Sequence, residues 1–171
     1  TGARAVALLA AWCIREGPSA RPESARFLQV LRDAGDDPEW RSVLDRLSEA
    51  VNADLAVAEF AAALGLAGGV TGYAYDTVPV VAYAWYRHFG DFEATLTAVL
   101  DCGGDTDTIG AMAGAIWGAA RGMEGLPEEL LGRLEQREEL LRRLSDSLPL
   151  SPLLEEPRRA ALVMTSTSWT S

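Results

Sequence analysis

Lysine is absent from this sequence, in which all 15 basic residues are arginines. Because a phosphate-binding P-loop and Schiff-base catalysis both depend on a lysine amine, the absence excludes both chemistries. Histidine is nearly absent, since His88 is the only one. It lies near a predicted helix end and has no partner in the sequence, which argues against histidine-based catalysis.

Cysteines and long apolar runs are also scarce. Cys13 and Cys102 lie far apart and form no CxxC pair, so neither a disulfide framework nor a zinc knuckle is expected. Cys102 adjoins acidic residues, which raise a thiol pKa, so it is not expected to act as a nucleophile. No signal peptide is recognisable, and the longest apolar run, residues 109–120, falls short of the ~18 residues that span a bilayer. We therefore expect a cytoplasmic protein without a membrane partner.

Positive charge is outweighed by negative charge, since the formal net charge is −10. Phosphate backbones repel such a surface, which disfavours nucleic acid as a partner. An acidic protein that handles an anionic substrate needs a metal ion or a local arginine cluster to invert the field at its site.

Runs of β-branched residues are few, whereas alanine, leucine, glutamate and arginine dominate, which predicts an all-α fold. Apolar spacing and capping residues predict eight helices. They span residues 4–16, 22–31, 38–50, 54–64, 77–88, 92–101 and 127–145, with one more helix running from the glycine turn 102–108 to residue 122. Asp37 and Asp91 are predicted as N-caps, and Glu39 as a first-turn acid of the third helix. Four tryptophans on helical faces are predicted to be core: Trp12, Trp40, Trp85 and Trp117. A glycine-rich loop over residues 65–76 separates the fourth and fifth helices.

The predicted domain covers residues 1–148, and the Pro/Ser/Thr-rich segment 149–171 is predicted to be a mobile tail. The chain begins at Thr1 without a methionine and opens directly into a helical pattern. We therefore expect it to be a piece of a longer protein.

The most informative motif is the run Asp-Thr-Asp-Thr at 105–108, which follows two glycines at the start of a predicted helix. Hard cations such as Mg²⁺ prefer oxygen ligands, and two alternate carboxylates with a hydroxyl can supply them. The alternative is structural, because Asp and Thr are also preferred helix N-cap residues and acids favour a first turn. These four residues alone leave both interpretations open.

Two other metal or phosphate sites can be tested against the same run. A calcium-binding helix-loop-helix would need an acid at the twelfth position, where Ile116 stands. A haloacid-dehalogenase-type phosphatase would need a buried strand before the acids and a lysine elsewhere. Neither fits this sequence.

The helix after the acids carries a glycine every fourth residue. Mid-helix glycine costs about 1 kcal/mol relative to alanine, so such a row needs a compensating reason. Residues four apart share one face, which predicts a groove where another helix packs with its backbone close by. The glycines are Gly110, Gly114, Gly118 and Gly122.

Residues 103–110, Gly-Gly-Asp-Thr-Asp-Thr-Ile-Gly, resemble the C-terminal signature of the ADP-ribosylglycohydrolases. The upstream Gly72-Tyr73 pair and the run 76–79, Asp-Thr-Val-Pro, resemble the glycine-tyrosine loop and following helix of that family. The resemblance is clear over residues 65–144 and extends weakly back to Arg4.

The resemblance implies a compact orthogonal helical array that is incomplete at the N-terminus. It implies hydrolysis of the bond between ADP-ribose and a protein side chain or small acceptor, with two Mg²⁺ ions (or Mn²⁺) as cofactors. Asp105, Asp107 and Thr108 would bind metal, with Asp107 the better candidate to bridge both ions. Tyr73 and Gly104 would contact substrate, although Tyr73 could equally be a core tyrosine.

This sequence departs from the family pattern in one respect. The family's other metal ligands, a Thr-Asp-Asp run, and its acid/base glutamate lie in an N-terminal half that has no match here. We therefore expect this chain to carry half of the metal site and to require that missing half for a complete one. The alternative is a non-catalytic relative that acts as a binding or structural protein.

Overall fold

The computed structural model describes residues 1–17, 21–122 and 126–133, and within them it contains eight helices. Their bounds are α1 Gly2–Glu16, α2 Ser24–Arg32, α3 Pro38–Ala53, α4 Val57–Ala63, α5 Ala74–Arg87, α6 Phe92–Leu100, α7 Thr106–Arg121 and α8 Glu128–Arg133. Among the described residues, β structure is limited to one isolated bridge between Val70 and Gly104. The predicted all-α class is confirmed.

Two aspartates start their helices as predicted. The Asp37 carboxylate accepts a hydrogen bond from the Trp40 amide at 2.9 Å, and Pro38 occupies the first turn of α3. Asp91 accepts from the Ala94 amide at 2.9 Å at the start of α6. Each carboxylate satisfies an amide that has no partner within its helix.

Four helix starts differ from the prediction by two or three residues. Helix α1 begins at Gly2 rather than Arg4. Pro22 precedes α2 rather than opening it, and α4 begins at Val57 because Asp54 adopts a left-handed conformation that ends α3. Helix α5 begins at Ala74, three residues earlier than expected, so Pro79 lies inside the helix rather than in its first turn.

Helix α5 forms the centre of the fold. Every residue from Thr77 to Trp85 is buried, and α5 packs against α1, α3, α4, α6 and α7. The Tyr83 hydroxyl donates to the Leu55 carbonyl at 2.6 Å, which satisfies a polar group inside the core. The four tryptophans predicted to be core are buried: Trp12, Trp40, Trp85 and Trp117.

The chain divides into two units, Thr1–Gly125 and Leu126–Ser171. Helix α8 is the described part of the second unit. The predicted end of the last helix near Ser145, the boundary at 148/149 and the predicted mobile tail lie outside the described residues. No helix within the described part of the chain is long and apolar enough to cross a membrane.

Within the described part of the molecule the α7 glycines have no close packing partner, as expected if part of what fills their groove lies outside this chain. An ideal Cβ built on Gly114 or Gly118 meets no described atom within 4 Å, and one on Gly110 meets only Leu96 and Leu100, both at 3.8 Å. Helix α7 instead buries a neighbouring face, which carries Ile109, Ala113, Ile116 and Trp117.

Candidate functional site

The acidic run follows a turn that is tied to a distant loop. The Val70 amide donates to the Gly103 carbonyl at 3.0 Å, and the Asp105 amide donates to the Val70 carbonyl at 2.8 Å. These two bonds form the parallel bridge between Val70 and Gly104. The loop before α5 therefore fixes the backbone from which α7 starts.

Gly104 is required by this bridge. Its φ is +81°, and a Cβ there would lie 2.1 Å from the Val70 carbonyl oxygen, far inside van der Waals contact. Gly69, on the other side, has a φ of +118° and would place a Cβ 2.8 Å from the Gly104 Cα. The close approach of two backbones thus explains the glycine at 104, whose predicted contact with substrate stays a prediction.

Asp105 occupies the N-cap position of α7 but makes no side-chain capping hydrogen bond. Its backbone angles, φ −78° and ψ 64°, differ from the extended conformation of the capping residues Asp37 and Asp91. The interaction with the Thr108 side chain, then that with the Asp107 side chain, lowers the pKa of Asp105, and the Thr108 amide adds a smaller effect. The Asp105 carboxylate is therefore charged at neutral pH, and the Thr108 side chain stabilises its charge more than the Thr108 amide does.

The three predicted ligands lie within one helical turn. Asp105 and Thr108 are half-buried and Asp107 is exposed. Two carboxylates and a hydroxyl are donors that suit Mg²⁺. Within residues 1–17, 21–122 and 126–133, however, no group of three or more His, Cys, Asp or Glu side chains could hold a metal ion. The run fits a magnesium site as a partial ligand set.

The glycine-tyrosine loop lies beside these acids. A Cβ on Gly72 would lie 3.1 Å from Asp105 Oδ2, so glycine leaves that carboxylate accessible. The Thr71 hydroxyl donates to Asp76 at 2.6 Å and accepts from the Tyr73 amide at 3.0 Å. Buried Thr77 lies with its hydroxyl 2.8 Å from the Tyr73 carbonyl. These bonds fix the backbone around Tyr73.

Tyr73 is 50% exposed, so the alternative of a core tyrosine is wrong. Its ring packs on that of Tyr75 with centroids 5.3 Å apart, and its hydroxyl donates to Glu39 at 3.0 Å. That hydrogen bond, followed by partial burial and the charge of Glu39, raises the pKa of Tyr73. The neutral phenol is therefore the form present at neutral pH.

Sequence reasoning missed two acids near this loop. Glu39 was taken only as a first-turn acid of α3, and Asp76 only as part of a family-like run. Asp76 accepts a hydrogen bond from the hydroxyl of Thr71, five residues earlier, which closes the loop before α5. No sequence signal links Glu39 to Tyr73, because the contact joins residues that are 34 positions apart.

Two further residues were predicted to lack a catalytic role. Burial, then the charge of Asp101, raises the pKa of Cys102, as expected beside acids. Burial, then the charge of Arg87, lowers the pKa of His88, although Asp91 opposes this. The structure thus favours a protonated thiol and a neutral imidazole.

A family model described as ADP-ribosylglycohydrolase matches residues 1–160. The bovine ADP-ribosylhydrolase ARH3 (Bos taurus) is 40% identical over 76 residues, which are 39% of this chain and 21% of that protein. The ADP-ribosyl-[dinitrogen reductase] glycohydrolase of Rhodospirillum rubrum is 34% identical over 82 residues, 47% of this chain and 28% of that protein. The chain thus spans less than a third of these relatives. No solved structure matches it significantly.

Proposed function

The chain belongs to the ADP-ribosylglycohydrolase family, and from this premise we propose that the complete protein hydrolyses the glycosidic bond between ADP-ribose and an acceptor. The acceptor is a protein side chain or a small molecule. Two relatives that match over part of their length are named for this kind of hydrolysis. The absence of a disulfide framework is in keeping with action in the cytoplasm.

The observation that carries the proposal is the Asp105 carboxylate at the start of α7, on which the Thr108 side chain acts more strongly than the Thr108 amide. Asp37 and Asp91, at the same position of their helices, accept hydrogen bonds from helix amides at 2.9 Å. A charged carboxylate that adjoins Asp107 and Thr108 is suited to binding a cation.

In this proposal Asp105, Asp107 and Thr108 hold part of a binuclear Mg²⁺ site, and Mn²⁺ could substitute. The ions would supply positive charge against which the distal ribose and a water molecule are held. The net charge of −10 supports this role, because an anionic substrate needs a local reversal of the field. The remaining ligands and the acid/base glutamate would come from outside this chain.

Tyr73 would bind substrate beside the metal ligands. Its neighbour Gly72 lies against the Asp105 carboxylate, and its ring is half exposed. An aromatic face of this kind suits packing against a ribose or an adenine base.

The test is release of ADP-ribose from an ADP-ribosylated protein or peptide by the full-length protein with Mg²⁺. We expect Asp105→Ala and Asp107→Ala each to lower kcat by at least about a hundredfold, as expected when electrostatic stabilisation is lost, while the circular dichroism spectrum stays helical. Asp101→Ala, which removes an exposed acid just before the motif, is the matched control and should retain activity.

Unchanged release of ADP-ribose by either variant would refute the assignment of the metal site. An inactive wild-type protein that nevertheless binds ADP-ribose would instead support the non-catalytic alternative.

A further inference from the structure

We propose that Glu39 is a positioning residue, whose carboxylate holds the Tyr73 hydroxyl and so fixes the ring against an uncharged, flat part of the substrate. The inference rests on the proposed function, because it takes Tyr73 as a substrate contact. It adds helix α3 to the site, which otherwise involves only the loop before α5 and the start of α7.

The first support is a row of three aromatic rings that pack on one another at tilted angles. Trp40 is fully buried in α3, Tyr75 packs on it with centroids 5.2 Å apart, and Tyr73 packs on Tyr75 at 5.3 Å. The Tyr75 hydroxyl donates to Asp37 at 2.8 Å, and the Tyr73 hydroxyl donates to Glu39 at 3.0 Å. Two acids of one helical turn therefore hold two successive rings, of which the outer one is half exposed.

The second support is that the backbone at Tyr73 is already fixed. The Tyr73 amide donates to the Thr71 hydroxyl, and the Tyr73 carbonyl lies 2.8 Å from the Thr77 hydroxyl. The freedom that remains is rotation of an exposed side chain, and the hydrogen bond to Glu39 removes it. Ordering the ring before binding lowers the entropic cost of binding.

The charges near the ring indicate which part of the substrate it meets. Glu39 contacts the Tyr73 hydroxyl and Asp37 contacts Tyr75, and neither acid belongs to the proposed metal site. A diphosphate next to these carboxylates would be repelled. The ring is therefore assigned to a ribose or an adenine base.

The geometry is tested on the chain of 171 residues by NMR titration of the tyrosine rings, with Tyr73 assigned from a Tyr73→Phe sample. Glu39→Ala should lower the pKa of Tyr73, because it removes both the hydrogen bond and the charge. Glu39→Gln keeps an acceptor and should produce a smaller fall. Glu49→Ala, an exposed acid further along α3, should change nothing. An unchanged Tyr73 titration in Glu39→Ala would show that Glu39 does not hold the Tyr73 hydroxyl, which would overturn the inference.

The role is tested by calorimetric titration of ADP-ribose into the full-length protein with Mg²⁺. Glu39→Ala should weaken binding about three- to tenfold, the size expected when one hydrogen bond is lost. Glu39→Gln should stay within about twofold of wild type, because an amide oxygen still accepts. In turnover, Glu39→Ala should raise KM more than it lowers kcat.

Three outcomes separate this inference from the proposed function. If the wild-type protein binds ADP-ribose and Glu39→Ala binds equally well, Glu39 has no positioning role while the proposed function stands. If Glu39→Ala weakens binding as much in a Tyr73→Ala background as in wild type, Glu39 acts independently of Tyr73 and the inference is wrong. If the wild-type protein neither binds nor cleaves an ADP-ribosyl substrate, the proposed function fails, whatever the ring titration shows.

Discussion

At the scale of single residues, two neighbouring glycines share a left-handed backbone but differ in their surroundings. Gly103 has a φ of +68° with no described atom within 4 Å of an added Cβ, whereas an added Cβ on Gly104 would clash with the Val70 carbonyl. Gly103→Ala should cost only the strain of its conformation, about 1 kcal/mol. Gly104→Ala should cost at least about 2 kcal/mol more, because the bridge must open. Urea unfolding of the two variants measures the difference, and equal costs would show that the bridge does not constrain residue 104.

A second prediction at this scale concerns Asp37. The Trp40 amide, then the hydroxyls of Tyr75 and Thr1, lower the pKa of Asp37 despite its desolvation. A carboxyl whose folded pKa lies below its unfolded value of about 3.9 stabilises the fold above that value. The stabilisation is lost as the pH falls from there through the folded pKa.

Asp37→Asn should therefore lower Tm at pH 7, and the gap between its Tm and that of wild type should narrow as the pH falls below about 4. Thermal unfolding followed by circular dichroism at stepped pH measures this gap. Asp45→Asn removes an exposed carboxylate from the same helix and is the control for lost charge. A gap that stays constant down to pH 2.5 would contradict the prediction.

The role of an aspartate at a helix start can be predicted from the sequence in one helix and not in another. Asp37 and Asp91 were predicted as caps and do cap, because a local extended backbone is all that a cap requires. Asp105 departs from this extended backbone, with a ψ of 64° beside a bridge to Val70, 35 positions earlier in the chain. Sequence reasoning identified the acidic run but could not foresee its backbone conformation, because that contact is non-local, and the metal-binding role of the run stays a prediction.

At the scale of helices, the repeat of glycines along α7 can mean either close packing of another helix or a face that is open. Spacing predicted close packing, but Gly114 and Gly118 face open space among the described residues. Alanine at such helix positions should stabilise the chain by about 0.5–1 kcal/mol each, since it lowers the entropy of the unfolded state without a clash. Gly2→Ala, at the start of α1, is the contrast, because an added Cβ there would lie 2.7 Å from the Ala74 Cβ.

Thermal unfolding of Gly114→Ala, Gly118→Ala and Gly2→Ala measures these effects, and only the last should be destabilising. The same variants in the full-length protein then show whether this face is covered there. Stabilisation in the isolated chain with destabilisation in the longer protein would restore the packing that the spacing predicted. Destabilisation in both would contradict the open face.

Helix boundaries were predictable where a local signal fixes them. Helix α3 begins at Pro38 after its cap, and α6 follows Asp91, both as expected. The start of α4 was missed because Asp54 continues a helical pattern in sequence but turns left-handed at a φ of 51°. There the Leu55 amide donates to the Ala50 carbonyl at 3.1 Å, and Glu59 accepts from the Ala56 amide at 2.8 Å. These bonds end one helix and start the next, although neither asparagine nor glycine marks the turn.

At the scale of the whole molecule, the excess of negative charge and the partial ligand set act together. A net charge of −10 attracts divalent cations generally, so cation binding alone does not demonstrate a site. Binding at a specific site depends on particular oxygen ligands and persists when salt is added. The general attraction of cations to a negatively charged protein does not persist, because salt screens it.

The final prediction uses that distinction on the chain of 171 residues. Two carboxylates and one hydroxyl at one helix start fill fewer positions than the octahedral shell of Mg²⁺, and in the described part of the chain no larger cluster of acidic, histidine or cysteine side chains completes it. Calorimetric titration in about 0.15 M salt, where charges beyond about 8 Å are screened, should therefore show weak binding, with Kd on the order of a millimolar or higher. Asp107→Ala should abolish the part that persists in salt, whereas Asp101→Ala should leave it unchanged. Tight binding of two Mg²⁺ ions per chain would mean that this chain already holds a complete site, and it would remove the need for ligands from elsewhere.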